Sequence, residues 1–141
     1  MVSATPVFER KSLRESKDHG KPLRKKILVV EDEVIFTLNL TDLLEMWDYE
    51  VLKPVLSAEA AIKAAEEKKP DLIIMDIGIK GQLDGIETAI KIHEKHKVPI
   101  IFISGYPYED MKERIDAINP AFFFNKPIDI SSLRAKIEEM V

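Results

Sequence analysis

The sequence predicts an α/β protein built on one doubly wound, five-stranded parallel sheet with five helices. Three observations carry that expectation. Short apolar runs alternate with stretches of helical periodicity from Lys26 onward. Those runs are continuously apolar, as expected of strands covered on both faces. A chain of 141 residues with 45% hydrophobic and 33% charged residues suits one globular domain with a sizeable core.

The elements follow in order. Residues 27–30, Ile-Leu-Val-Val, read as a first strand ending in acids. Residues 33–47 read as a helix with Val34, Leu38, Leu40, Leu43, Leu44 and Trp47 at apolar positions. Residues 49–56 read as a second strand, and Pro54 assigns it to an edge or a bulge because proline has no N–H for a ladder. Ser57 is a candidate N-cap for an Ala-rich helix to about Lys69, stopped by Pro70, with residues 66–69 as a frayed, solvated end. Residues 72–75 form a third strand. Ile86, Ala89, Ile90 and His93 then mark a helix at i, i+3, i+4, i+7. Residues 99–103 form a fourth strand, and Met111, Ile115 and Ile118 mark a short helix. Residues 121–124 form a fifth strand, and Ile130, Leu133, Ile137 and Met140 mark the last helix.

The net charge of −4 averages two unlike parts. Residues 1–26 carry eight Lys or Arg against three acids, whereas residues 27–141 carry thirteen against twenty-two. Residues 1–25 accordingly read as a basic arm or linker, compatible with a short helix over residues 9–17, and residues 26–141 as the folded domain. An acidic domain is a poor binder of nucleic acid, whose phosphates it repels. The absence of cysteine removes disulfides, thiolate catalysis and cysteine-ligated metals. No apolar run approaches the roughly twenty residues of a membrane span, and no secretory signal is readable, so a cytoplasmic location is expected.

In a doubly wound sheet the functional crevice lies beyond the carboxyl ends of the strands. There the sequence places Glu31-Asp32-Glu33 after strand one, Asp76 after strand three, Ser104-Gly105 after strand four and Asn125-Lys126-Pro127 after strand five. Carboxylates gathered in this way repel unless a cation bridges them, and hard oxygen donors suit Mg²⁺. A carboxylate is also a nucleophile toward phosphorus. With Lys126 and the Ser104 hydroxyl available to share developing charge, the set matches phosphoryl transfer onto Asp76.

The motifs ILVVEDE at 27–33, DLIIMDI at 71–77, DGIE at 84–87, PIIFISG at 99–105 and FFFNKP at 122–127 occur in one order at consistent spacing. Together they resemble the receiver domains of two-component response regulators over residues 25–141. The resemblance implies a flavodoxin-like receiver fold of strand order 2-1-3-4-5. It further implies a histidine kinase's phosphohistidine as phosphoryl donor and Asp76 as phosphoacceptor. Mg²⁺ would be bound by Asp32, by Glu31 through water, by Asp76 and by the Gly78 carbonyl. Lys126 would pair with the phosphoryl group, and Pro127 would follow a cis bond. Ser104 and Phe123 would form the switch pair, and Gly105 would keep Asp76 accessible. Such a domain is no turnover enzyme, although it catalyses its own aspartyl phosphorylation and dephosphorylation. Its expected output is a downstream protein, met through the last two helices and the fifth strand, and the resemblance admits a phosphorylation-dependent dimer. Neither nucleic acid nor membrane is an expected direct partner.

Two departures from the family pattern stand out. The stretch DIGIKGQLDG at 76–85 is one residue longer than the common form and lacks its proline, and Phe123 stands where Tyr is frequent. Other phosphate chemistries are poorly served. There is no GxxxxGK[ST] run and no GxGxxG after the first strand, and acids there would repel the phosphate of a flavin nucleotide. Gly78 stands where a dehalogenase-type phosphatase would carry its second acid. The competing reading is a degenerate receiver-like module that binds partners without being phosphorylated. His93 and His96, lacking neighbouring acids or cysteines to complete a metal set, are expected to be solvated surface residues.

Overall fold

A computed structural model describes residues 23–79 and 81–141. The expected arm and its short helix over residues 9–17 lie almost wholly outside the described residues. Strands β1 (Lys26–Val30), β2 (Glu50–Val51), β3 (Leu72–Asp76), β4 (Ile100–Ser104) and β5 (Ala121–Asn125) pair in parallel as one five-stranded sheet, ordered β2-β1-β3-β4-β5. Between and after them run α1 (Val34–Met46), α2 (Ala58–Lys68), α3 (Gly85–His93), α4 (Lys112–Asp116) and α5 (Ile130–Met140).

Strand side chains alternate between two cores. Leu28, Val30, Ile73, Met75, Ile100 and Phe102 face α2, α3 and α4, packing with Ala61, Ile86, Ala89 and Ile115. Ile27, Val29, Leu72, Ile74, Ile101 and Ile103 face α1 and α5, packing with Leu40, Leu44, Leu133 and Ile137. Burial on both faces is why these runs lack polar alternation, and it forces the first polar residue of each run out at the strand's carboxyl end.

The structure revises several expectations. Strand two contracts to Glu50–Val51 at the sheet edge. Pro54 interrupts it, and pairing resumes at Val55, whose N–H donates to the Val29 carbonyl at 3.1 Å. The short fourth helix is preceded by a 3₁₀ turn (Tyr108–Asp110), so that α4 keeps only five residues. Ser57 caps α2 as expected, its hydroxyl accepting from the Ala60 N–H at 3.3 Å. The far end of α2 is exposed, as expected, and closes at Lys69, which turns left-handed at φ 49° and donates its N–H to the Ala65 carbonyl.

The surface assignment of His93 is wrong. Its side chain is buried, with Nε2 2.6 Å from the Val98 carbonyl. Ile86, Ala89 and His93 of the expected stripe are buried, joined by Thr88 and Ile92, whereas Ile90 is exposed. Position 93 lies on that inward face, and the backbone carbonyl satisfies the ring nitrogen there. His96 is half-buried, and its Nε2 is shielded from solvent.

Candidate functional site

Four strand ends meet at one rim of the sheet. β1 delivers Glu31, whose buried side chain turns back so that Oε1 accepts the Glu33 N–H at 3.1 Å. Asp32 beside it is half-buried and Glu33 exposed. β3 ends on Asp76, which is buried and accepts the Gly78 N–H on Oδ1 at 3.3 Å. One carboxylate oxygen from each of Glu31, Asp32 and Asp76 falls within 4.8 Å of the others.

β5 continues into Lys126, whose N–H donates to the Ser104 carbonyl at 2.8 Å and which precedes a cis bond to Pro127. Its ammonium donates to Glu31 Oε2 at 2.9 Å and lies 3.7 Å from Glu33 Oε1 and 3.9 Å from Asp76 Oδ1. The Phe36 ring of α1 lies beneath it, with the ammonium 4.6 Å from the ring centroid. Burial pushes the Glu31 carboxyl above its ordinary range; Lys126 pulls it back, and the neighbouring Asp76 charge adds to the rise. Desolvation works against the Lys126 ammonium, but its hydrogen bond to Glu31 and the charges of Asp76, Glu31 and Glu33 outweigh it and hold its pKa above the ordinary value.

Ser104 is buried, and its hydroxyl accepts the Tyr106 N–H at 3.0 Å. Asn125 braces the same loop, donating to the carbonyls of Ser104 at 3.2 Å and Tyr106 at 2.7 Å. Gly105 and Gly78 are exposed with open space where a side chain would start. Phe123 stands apart from the carboxylates, half-buried, with its ring 5.3 Å from that of Tyr108.

Sequence reasoning quoted Gly85 within DGIE but gave it no role. A Cβ built there would lie 2.4 Å from the Asp76 carbonyl oxygen and 2.7 Å from the Ile77 Cα, so the first turn of α3 rests directly on the Asp76 backbone. Phe36 was likewise missed. Only the adjacency of Asp84 and Gly85 to a helix start hinted at the first of these, and no sequence signal pointed to the second.

Three hard carboxylate oxygens beside one ammonium leave an excess of negative charge that a divalent cation would neutralise. Residues 27–138 match the model of the response regulator receiver domain. The chain belongs to that family. The receiver is 32% identical over 121 residues to the transcriptional regulatory protein PdtaR of Mycobacterium tuberculosis, covering 86% of this chain and 58% of that one. It is also 31% identical to the phyllosphere-induced regulator PhyR of Methylorubrum extorquens, over 81% of this chain and 42% of the other. The chain thus spans less than two thirds of the length of these curated relatives. Among solved structures, the signal receiver domain of a modulated diguanylate cyclase from Desulfovibrio desulfuricans superposes with a TM-score of 0.76 at 31% identity, covering 84% of this receiver and 94% of that chain. A CheY-like receiver domain protein from Methanospirillum hungatei superposes at 0.75 with 25% identity, over 83% and 93%.

Receiver domains are signalling modules of two-component systems rather than turnover enzymes; they bind Mg²⁺ at an acidic pocket and interact with histidine kinases and downstream effectors. No helix among the described residues is long and apolar enough to cross a membrane.

Proposed function

We propose that this receiver accepts a phosphoryl group from a histidine kinase's phosphohistidine onto Asp76, and that the modified site changes the surface offered to a downstream partner. The observation that carries the reading is the Lys126 ammonium set among Glu31, Glu33 and Asp76 at 2.9, 3.7 and 3.9 Å. An Asp76 carboxylate oxygen forms the new O–P bond while the P–N bond to the donor imidazole breaks. The electron pair stays with the ring, which takes up a proton. Lys126 meets one phosphoryl oxygen, and the Ser104 hydroxyl leaves the Tyr106 N–H to meet another. Gly105 leaves the approach open. Glu31, Asp32, Asp76 and the Gly78 carbonyl would hold Mg²⁺, which when bound neutralises charge on the transferring group.

The output surface in this reading is α4, β5 and α5. A groove of about 760 Å³ lies between α4 and β5, lined by Tyr108, Ile115, Ile118, Ala121, Phe122 and Phe123. The Phe123 ring would shift against Tyr108 as the Ser104 loop moves. The same surface would serve a phosphorylation-dependent dimer, in a cytoplasmic setting without direct nucleic-acid contact.

Incubation with Mg²⁺ and carbamoyl phosphate is expected to add the mass of one base-labile phosphoryl group to the wild type and none to Asp76→Asn. An unmodified wild type, or an undiminished adduct on the variant, would favour the non-phosphorylated interaction module. A second expectation concerns the cation. Mg²⁺ at a hundredfold excess over its Kd should raise the unfolding free energy by about 2.7 kcal/mol. Asp32→Asn should lose most of that increment while being slightly more stable than wild type in chelator, because one of three mutually repelling carboxylates is gone. Urea titrations with and without Mg²⁺ read both effects, and an Asp32→Asn variant with the full Mg²⁺ increment would remove Asp32 from the ligand set.

A further inference from the structure

We propose that Arg114 is a positioning residue that ties α4 to the acceptor turn through Asp84, holding α4 in its resting place. One guanidinium nitrogen, Nη2, donates to both carboxylate oxygens of Asp84, at 3.0 and 2.9 Å, across 30 positions of sequence. What gives this pair leverage is the difference between its two ends.

The Asp84 end is fixed. Its Oδ1 accepts the Glu87 N–H at 2.8 Å, its own N–H donates to Glu87 Oε1 at 2.9 Å, and its carbonyl accepts the Thr88 hydroxyl at 2.7 Å. The next residue, Gly85, donates its N–H to the Ile77 carbonyl at 2.8 Å and abuts the Asp76 backbone with no room for a side chain. Asp84 is therefore held in register with the acceptor itself.

The Arg114 end is loosely held. It lies on a five-residue helix reached through a 3₁₀ turn. Among the described residues, the other polar side-chain contacts of residues 108–116 stay within that segment, from Tyr108 and Lys112 to Asp116. Its apolar hold is limited to Met111 and Ile115 in the core and to Tyr108, which packs against that core and lies 5.3 Å from the Phe123 ring. Short elements with few external contacts open readily. The segment begins just after Tyr106, whose N–H rests on the Ser104 hydroxyl at 3.0 Å. In the proposed function, which this inference presupposes, that hydroxyl departs toward the phosphoryl group. The loop leading to α4 is then released while Asp84 stays on Asp76. The Arg114–Asp84 pair straddles the boundary and opposes the movement, so it biases the population toward the resting form. It is a second connection between acceptor and α4, independent of Phe123, which has no hydroxyl with which to reinforce the switch.

Two variants separate this role from simple capping. Arg114→Met removes the pair, and Asp84→Asn weakens it while keeping a good N-cap. In unphosphorylated protein, amide hydrogen exchange over residues 111–118 is expected to quicken about fivefold in each, with no further gain in the double variant and recovery in Arg114→Lys. Phosphorylation by carbamoyl phosphate with Mg²⁺ should be about threefold faster in both single variants. Unchanged exchange in both, additive effects in the double variant, or slower phosphorylation would each overturn the proposal. A wild type that takes no phosphoryl group would overturn the proposed function and the switching role with it. The exchange result needs no phosphoryl donor and judges the tether on its own.

Discussion

Gly85→Ala is expected to destabilise the domain by about 3 kcal/mol, the upper end of what overpacking costs. Helix propensity alone points the other way, because Gly85 opens α3 and alanine there would contribute up to about 1 kcal/mol. Packing decides the sign. The new Cβ would sit 2.4 Å from the Asp76 carbonyl oxygen, 2.7 Å from the Ile77 Cα and 3.0 Å from the Asp76 carbonyl carbon, all backbone atoms with no rotamer to retreat into. Those atoms belong to β3 and the turn after it, in the middle of the sheet. Relief therefore requires α3 to lift away or β3 to shift. Urea unfolding measures the loss, and phosphorylation by a small donor should slow in parallel. Gly78→Ala and Gly105→Ala, with open space around the added methyl, should stay within about 0.5 kcal/mol of wild type in stability. A Gly85→Ala protein as stable as those two would show that the turn yields easily.

The second large effect is expected from Lys126→Met. It strands the buried Glu31 carboxylate, which loses its 2.9 Å partner. Breaking a fully buried pair costs 3–5 kcal/mol, and the 24% exposure of the lysine side chain reduces that to about 2 kcal/mol near neutral pH in chelator. The pH dependence follows from the direction of the Glu31 shift. Its carboxyl is already raised in the fold above the ordinary 4.5, mainly by burial, and losing Lys126 raises it further. A folded state that binds the proton more tightly than the unfolded chain gains stability below the unfolded pKa and loses it as pH rises through the folded one. The deficit of Lys126→Met should therefore shrink toward pH 4.5 and grow above it. Adding Glu31→Gln should restore most of the stability at neutral pH, since an amide oxygen still accepts the Glu33 N–H without carrying charge. A pH-independent deficit, or one that Glu31→Gln does not repair, would argue against an ion pair as the source.

What the sequence disclosed and what it concealed follow from the range of the interactions involved. Continuous apolar runs such as Ile27 to Val30 and Ile100 to Ile103 announce buried strands because both faces are covered, and the polar residue ending each run marks the rim. The convergence of Glu31, Asp76, Ser104 and Lys126 was legible for that reason. Pro54 correctly marked an edge, but how little of strand two would pair depended on the path back to Val30. His93 was misplaced because composition treats histidine as polar, whereas a single carbonyl, that of Val98, suffices to bury it. The proximity of Gly85 to Asp76, the reach of Arg114 to Asp84 and the ring of Phe36 under Lys126 join residues far apart in the chain. Periodicity and local motif carry no information on such pairs.

The contact between Glu31 and Lys126 spans 95 positions, from the end of the first strand to the residue after the last. During synthesis, Asp76, the acceptor in the proposed function, and most of its acidic surroundings emerge well before Lys126. A nascent or truncated chain lacking β5 would display carboxylates with no ammonium among them and no finished sheet to hold them. In the proposed function, responsiveness to a phosphoryl donor is thus withheld until the fold is closed.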